Sequence, residues 1–474
     1  MSFSKLFWLL PSALFLFVIC SCSNENVSRI DAAFPNISVS SRISPDNSLI
    51  VFLDVTSVAD SSVYVEYGNK NIGYFKTPTT ESDKNHSIPI VRLRASTKYN
   101  YRVKSIDDKG VDRTMFSGSF ISGPLPDDLK LGFKSIGKPS FNLTLMDINL
   151  NVAKKSYVVI LDKEGEIVWY HPSSEGVFTL NAIKQKQNFN IVYNVPGQGI
   201  FEINFLGQLI NQLPTSPMND SHHDFLISND NSIIFLSGRT TFDSKVPLHS
   251  SVIREWNEST NETKTLWDPL SYEDANSIID SIYLDIERKK PDDHSNSLFI
   301  GKEGNILLSR RHTNEVLSLA PEWGEIQWTL GGPHSDFKFE SPLDKFYGQH
   351  TAVETKNGTL LLFDNGYGRP DSEGGQYSRA IEFKLDFEHK LAKKMWEYRP
   401  DENIFTPSRG GLERLDNGDT LINFGTSNTI EPTYLIEVNE KGNVVWKLES
   451  SPDIPVDRYR ATTLKSISGE TRVR

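Results

Sequence analysis

Three short stretches of the chain put histidine at the mouth of an apolar hairpin. His222-His223-Asp224 precedes FLISNDNSIIFLSG, Asp293-His294-Ser295-Asn296 precedes SLFIGKEGNILLSRRH, and Gly348-Gln349-His350 precedes TAVETKNGTLLLFDNG. His223 and His350 each stand eight residues before the turn residue, Asn231 or Gly358. Gly410 holds that place before Gly418, and His294 stands ten before Gly304. Imidazoles brought to one place can do two kinds of chemistry. Three of them can hold a metal facially, as in zinc or non-haem iron sites. Without a metal, one can act as nucleophile while others serve as acid, base or charge stabiliser. Arginine discriminates between the two. Arg310-Arg311 leaves the hairpin that His294 opens, and Arg379 follows the hairpin of His350. A guanidinium repels a metal ion but offers a planar fork of donors to a tetrahedral oxyanion. The set therefore points to sulfate or phosphate esters, with no metal or other cofactor expected. No phosphate-binding loop and no GxGxxG after a strand suggests a nucleotide co-substrate. A lone histidine at a strand start is ordinarily a cap or a surface residue; three that recur at blade openings are a different matter. His86, His171, His249, His334 and His389 sit at strand ends or in loops and read as structural; His312, next to the arginine pair, is left open.

The elements that must bring these residues together repeat along the chain. Gly165-Glu-Ile-Val-Trp169, Gly324-Glu-Ile-Gln-Trp328 and Gly442-Asn-Val-Val-Trp446 each end a hairpin, and looser copies end at Leu213, Trp267 and Trp396. Each copy follows an alternating strand, and a second hairpin precedes it. Repeats of several strands spaced about 50 to 70 residues apart are the mark of propeller blades. The fold class expected is all-β: a β-sandwich followed by a six-bladed β-propeller over residues 129–474, with Arg458 to Ile467 returning to close the ring. The first strand of each blade lines the central channel, so the opening histidines are expected to converge at one mouth.

The N-terminal third reads differently. Residues 1–21 carry Lys5 and then LFWLLPSALFLFVIC, an apolar run of signal-peptide length. Ile19-Cys20-Ser21-Cys22 matches a lipobox, so Cys22 is the expected lipidation site, residues 22–36 a tether, and the location an exported bacterial lipoprotein, with Ser23 pointing to the outer membrane. Cys20 and Cys22 are the two cysteines, so no disulfide is expected in the mature protein. Residues 37–124 hold short strands between Asn, Asp, Gly and Pro turns. Leu93-Arg-Ala-Ser-Thr97-Lys-Tyr99-Asn-Tyr101-Arg-Val103 resembles the late-strand signature of fibronectin type III sandwiches, with Tyr99 as the corner tyrosine. Nothing in this region looks chemical; a spacer or packing partner is expected. A net charge of -11 argues against nucleic-acid binding.

The blocks His222-His223-Asp224, Asp293-His294-Ser-Asn296, Arg310-Arg311-His312, Trp328-Thr-Leu-Gly-Gly-Pro333, Gly348-Gln-His350, Phe363-Asp-Asn365-Gly366 and Tyr377-Ser-Arg379-Ala-Ile-Glu382 resemble, in order, those of the bacterial aryl-sulfate sulfotransferases that use no nucleotide donor. The resemblance covers most of residues 30 to 470. It implies transfer of a sulfuryl group from an aryl sulfate to a phenol in two half-reactions. It implies His350 as the nucleophile that becomes sulfohistidine, His294 and the His222-His223 pair as supporting histidines, and Arg311 as the sulfate-binding arginine. Asn296, Arg310, Asn365 and Arg379 are expected to help bind substrate. Small aryl sulfates and phenols are the expected partners, besides the membrane through the lipid, with a homodimer as an assembly to test. The absence of a disulfide and the lipobox depart from the periplasmic members. The rival reading is a non-catalytic surface propeller that binds a ligand or partner at the same mouth.

Overall fold

The computed structural model describes residues 29–30, 37–106, 112–150, 153–173, 179–214, 216–282, 291–425, 433–451, 454 and 456–473. The signal peptide, Cys22 and nearly all of the tether lie outside the described residues. Among those residues, no helix is long and apolar enough to cross a membrane.

The chain is almost entirely β. Its N-terminal part forms two sheets. One is three-stranded, from Ser38–Ile43, Val51–Ser61 and Asp83–Ile90. The other has the order Arg29–Ile30, Asp112–Ile121, Lys98–Ile106, Val63–Asn69, Gly73–Lys76 and Thr471–Arg472. Alternating residues of both sheets meet in one core, including Leu53, Val55, Val65, Tyr67, Tyr99 and Val103. The Tyr99 hydroxyl accepts the Arg94 N–H at 2.8 Å, tying the strand to the chain just upstream. These sheets dock on the first blade: Ile50 and Val91 join its core, and Asn47 Nδ2 donates to the Tyr170 carbonyl at 2.7 Å.

Six sheets make the propeller. The second blade holds Ile183–Gln185, Ile191–Val195, Gly199–Ile203 and Leu209–Gln212. The third holds Ser221–Ile227, Ile233–Thr241, Leu248–Asn257 and Glu262–Trp267. The fourth holds Ser295–Ile300, Ile306–Arg310, Glu315–Leu319 and Ile326–Gly331. The fifth is built on His350–Glu354, Leu360–Asp364, Arg379–Asp386 and Leu391–Tyr398, and the sixth on Gly411–Arg414, Thr420–Phe424, Tyr434–Val438 and Val444–Glu449. The first blade is a composite. Its Leu143–Leu150, Lys155–Asp162 and Ile167–Pro172 take their inner strand from the far end of the chain, Ala461–Leu464 pairing with Leu143–Met146. In exchange Lys134–Gly137 pairs with the outer strand of the sixth blade. Two such exchanges clasp the ring, as expected of the RYRATTLKSI segment.

The ring closes because each blade must bury both faces. An apolar cluster lies between every adjacent pair of blades, the sixth and first included, where Leu421, Leu435 and Trp446 meet Met146, Val159 and Leu161. Strands buried on both faces read as unbroken apolar runs, which is why IIFL and LLLF show no alternation. The Gly-x-x-x-Trp hairpins are the third and fourth strands of their blades, and Trp169, Trp267 and Trp446 are buried between blades.

Candidate active site

The inner strands of three blades begin with a β-bulge, at His222/Phe225, Ser295/Ser297 and His350/Ala352. At or beside these bulges His223, His294 and Thr351 adopt positive φ angles of 55°, 51° and 49°. Such backbone is costly for residues with side chains and is tolerated where it aims a group. The bulges also correct the register read from the sequence. Counting back from the turns pairs His223 with His350. In the ladders it is His222 that matches His350, since they pair with Leu236 and Phe363, the fourth residues of their partner strands. The third-blade bulge takes two residues, His223 and Asp224, where the fifth takes only Thr351. That extra residue swings His223 out of the ladder and toward the fourth blade.

His223 thereby becomes the middle of a row. His222 Nδ1 and His223 Nδ1 lie 2.8 Å apart, and His223 Nε2 and His294 Nε2 lie 3.0 Å apart. His294 Nδ1 faces Asp292 Oδ2 at 3.3 Å, and Asp292 Oδ1 accepts the His294 backbone N–H at 2.8 Å. Each contact needs one donor and one acceptor. With all three rings neutral, His294 donates to Asp292, His223 to His294 and His222 to His223. Add one proton and the two inter-ring bonds reverse, leaving His294 an imidazolium against the carboxylate. Burial pushes His222 down to about 3 and His223 well below the ordinary range, with the neighbouring His294 adding to the effect. Asp292 is held far below the usual carboxylate range by its bonds to His294, which outweigh burial. His222 and His223 are thus held neutral, and a proton taken up by the row would lie on His294, against Asp292.

His350 is buried and set apart from that row. Its Nδ1 lies 2.7 Å from Asn365 Oδ1. Asn365 Nδ2 donates to the carbonyls of Thr406 at 2.7 Å and Arg409 at 2.9 Å, which fixes the amide with its oxygen toward the ring. Hence Nδ1 carries the proton and Nε2 carries the lone pair. Burial, then the charges of Arg460 and Arg311, hold the ring neutral well below its ordinary range. The preceding Gln349 is fully buried, donating to Ser309 Oγ and to the carbonyls of Arg310 and Glu315. Asn365 is aimed by the turn that follows it. Gly366 has φ +72°, and a Cβ there would lie 2.0 Å from the Tyr377 carbonyl oxygen. The Tyr459 ring, from the closing segment, lies 6.2 Å from the His350 ring and 6.0 Å from that of His223.

The predicted arginines divide. Arg311 stays at the centre: Nη1 bonds His312 Nε2 at 2.8 Å, Nη2 donates to the Pro407 carbonyl at 3.0 Å, and the guanidinium lies over Tyr367. Arg310 and Arg379, expected to help bind substrate, are instead paired with carboxylates in this structure. Arg310 is clamped by both Glu273 oxygens, with Asp293 and Glu315 at 3.9 and 3.8 Å. Arg379 is held by Asp364 at 2.8 Å and Glu397 at 3.3 Å. Each neutralises buried carboxylates; Asp293 is still pushed up to about 6, mainly by burial. Arg310→Ala is accordingly expected to lower stability by about 3–5 kcal/mol, the cost of stranding buried charge. Urea melts check this; an unchanged midpoint with lost activity would return Arg310 to the site. Asn296 lies in the wall, its Nδ2 donating to the Gln349 carbonyl at 2.8 Å.

Asp292, His294 and His312 come near enough to suggest a metal site, their ligand atoms lying within 4.8 Å of one another. The rings are otherwise committed. His312 Nδ1 donates to the Asp292 carbonyl at 2.7 Å, so its Nε2 receives the Arg311 N–H. A divalent ion there would face a guanidinium, so this set suits a stored proton better than a metal. Asp292, His312, Tyr459 and Arg460 were not singled out from the sequence as site residues. The acid pair Asp292-Asp293 before His294, and aromatic-basic RYR in the closing segment, were the available signals.

Fold and site together define a β-propeller with an axial centre of imidazoles and one guanidinium. A family model described as arylsulfotransferase matches residues 133–460, and the chain belongs to that family. The arylsulfate sulfotransferase AssT of Escherichia coli O6:H1 is 22% identical over 340 residues, 56% of this chain and 53% of that protein. The AssT of Lelliottia amnigena is 33% identical over 100 residues, 20% of this chain and 16% of that one. The chain thus matches about half the length of the first relative and less of the second. Among solved structures, a protein of unknown function from Bacteroides caccae is similar at TM-score 0.44 and 16% identity, covering 68% of this chain and 100% of its own. A streptogramin B lyase is similar at TM-score 0.35 and 13% identity, covering 89% and 100%.

Proposed function

We propose that this protein transfers a sulfuryl group from an aryl sulfate ester to a phenolic acceptor through a sulfohistidine on His350, with no nucleotide donor. The observation that carries this reading is the neutral, buried imidazole whose Nδ1–H is pinned by Asn365, which leaves the Nε2 lone pair to attack. Nε2 forms a bond to sulfur as the sulfur–aryloxide bond breaks. The ring gains positive charge, and its bond to Asn365 strengthens. Arg311 holds the equatorial oxygens, where charge gathers in the transition state. The leaving phenolate takes its proton from the His223–His294 pair, whose proton Asp292 keeps in place. An acceptor phenol then gives a proton back to the pair and attacks the sulfur, and the N–S bond breaks. Donor and acceptor use one site in turn, so kinetics should be ping-pong. The test is intact-mass spectrometry after brief exposure to 4-nitrophenyl sulfate without acceptor. One added sulfuryl group, labile in acid and mapping to the peptide with His350, is expected; a label elsewhere overturns the assignment.

The same reading places the protein on a membrane as a lipoprotein, supported by the lipobox that ends at Cys22. Cys22→Ala should leave the protein in the soluble fraction or unprocessed. If the variant sediments with membranes as the parent does, the lipid anchor is wrong.

A further inference from the structure

The channel continues past the histidines. Along the inner strands, toward their turns, lies a cavity of about 600 Å³ walled by strands from all six blades. Its lining takes Thr351 and Val353 rather than His350, and Leu298 rather than His294. Leu298, Val353 and Leu412 make an apolar belt, and Arg460 stands among the lining residues.

Arg460 differs from the other cations of this region. Arg310 and Arg379 are neutralised by carboxylates, and Lys184, also in the lining, pairs with Asp224 at 3.1 Å. Arg460 bonds only to carbonyls: Nη2 to Asn296 at 2.9 Å, and Nη1 to Gly410 and to Tyr459. Among the described residues no carboxylate lies within ion-pair distance of it. The cavity's Glu413 is occupied by the Thr462 hydroxyl and by the N–H and hydroxyl of Thr463, and burial raises its affinity for a proton. Carbonyl dipoles orient a guanidinium without cancelling its charge. A partly buried, uncancelled cation at one end of an apolar space attracts an anion strongly, because water screens it poorly. The Arg460 guanidinium also lies 4.3 Å from the Tyr459 ring centre, and the Tyr459 ring in turn neighbours those of His223 and His350 at 6.0 and 6.2 Å.

We propose that this axial cavity is a second binding site, distinct from the histidine centre, for a small aromatic anion whose acidic group is held by Arg460 and whose ring packs on Leu298, Val353 and Leu412. The volume falls in the range of small-molecule sites and accommodates a one- or two-ring arene. An occupant there would cancel the Arg460 charge next to the site and so couple the two centres.

The test reads binding, so its outcome is independent of whether His350 transfers sulfuryl groups. The probe is 2-naphthalenesulfonate, whose carbon–sulfur bond offers no sulfuryl group for transfer. It is titrated calorimetrically into the full chain and soaked into crystals. The expected result is naphthalene in the cavity with its sulfonate on Arg460. Arg460→Gln should weaken this binding about 10- to 100-fold, as loss of a charge-assisted hydrogen bond does, and Arg460→Lys less. Val353→Trp should also block the cavity while leaving Arg460 in place, and Arg311→Gln should spare the cavity site. Sulfonate found only beside His350 and Arg311, or affinity unchanged in both Arg460→Gln and Val353→Trp, overturns the proposal.

Discussion

His350→Asn is expected to abolish release of phenol from aryl sulfates, by at least about 10⁴-fold, in a protein whose fold and melting temperature should be unchanged. A nucleophile has no understudy, so the loss should far exceed the roughly tenfold change of a missing binding contact. Asparagine preserves a polar group of similar reach near Asn365 but cannot attack sulfur and be displaced again. The wild-type pH profile supplies a second reading. A free imidazole would lose its lone pair as pH falls through about 6.5. Burial, Arg460 and Arg311 hold His350 neutral well below that. Transfer should therefore not fall tenfold per pH unit between 6.5 and 5.5 from protonation of the nucleophile. Residual turnover in His350→Asn, or labelling of another residue, would move the nucleophile to the His222–His223–His294 row.

Asp292→Asn is expected to slow transfer by about 10²- to 10³-fold, within the range of a lost general acid. In the proposed mechanism the carboxylate is the counter-charge for a proton on His294, and an amide would remove that counter-charge. The loss should depend on the leaving group. Phenyl sulfate expels a basic phenolate that needs the proton, whereas 4-nitrophenyl sulfate expels one that hardly does. The ratio of the two rates should thus widen in Asp292→Asn, and widen similarly in His294→Ala. Equal losses for both donors would show that Asp292 only shapes the loop.

Tyr459 and Arg460 show what the order of residues conceals. They lie more than a hundred residues from His350 and belong to the segment that clasps the first blade. Their place beside the histidine centre follows from ring closure. Arg310 and Arg379 show the converse. Their residue type and spacing suited an anion site, but Glu273 reaches Arg310 from a segment outside the blade strands, and Asp364 and Glu397 meet Arg379 across the neighbouring strands of its own blade. Two adjacent arginines, Arg310 and Arg311, differ in what they face because successive residues leaving a strand point opposite ways.

By itself the sequence determined the repeat, the hairpins and the blade-opening positions, because strand alternation, turn residues and the Gly-x-x-x-Trp ends are local and recur. It likewise marked His222, His223, His294 and His350 as candidates. Only the tertiary structure decided what surrounds each of them. One additional bulge residue moves His223 from the ladder into a hydrogen-bonded row with His294 and Asp292. Asn365 and Gly366 fix the tautomer of His350, and burial holds its lone pair available. Those outcomes depend on which groups the closed ring packs together and on which charges they share, and neither quantity is encoded in the spacing along one strand.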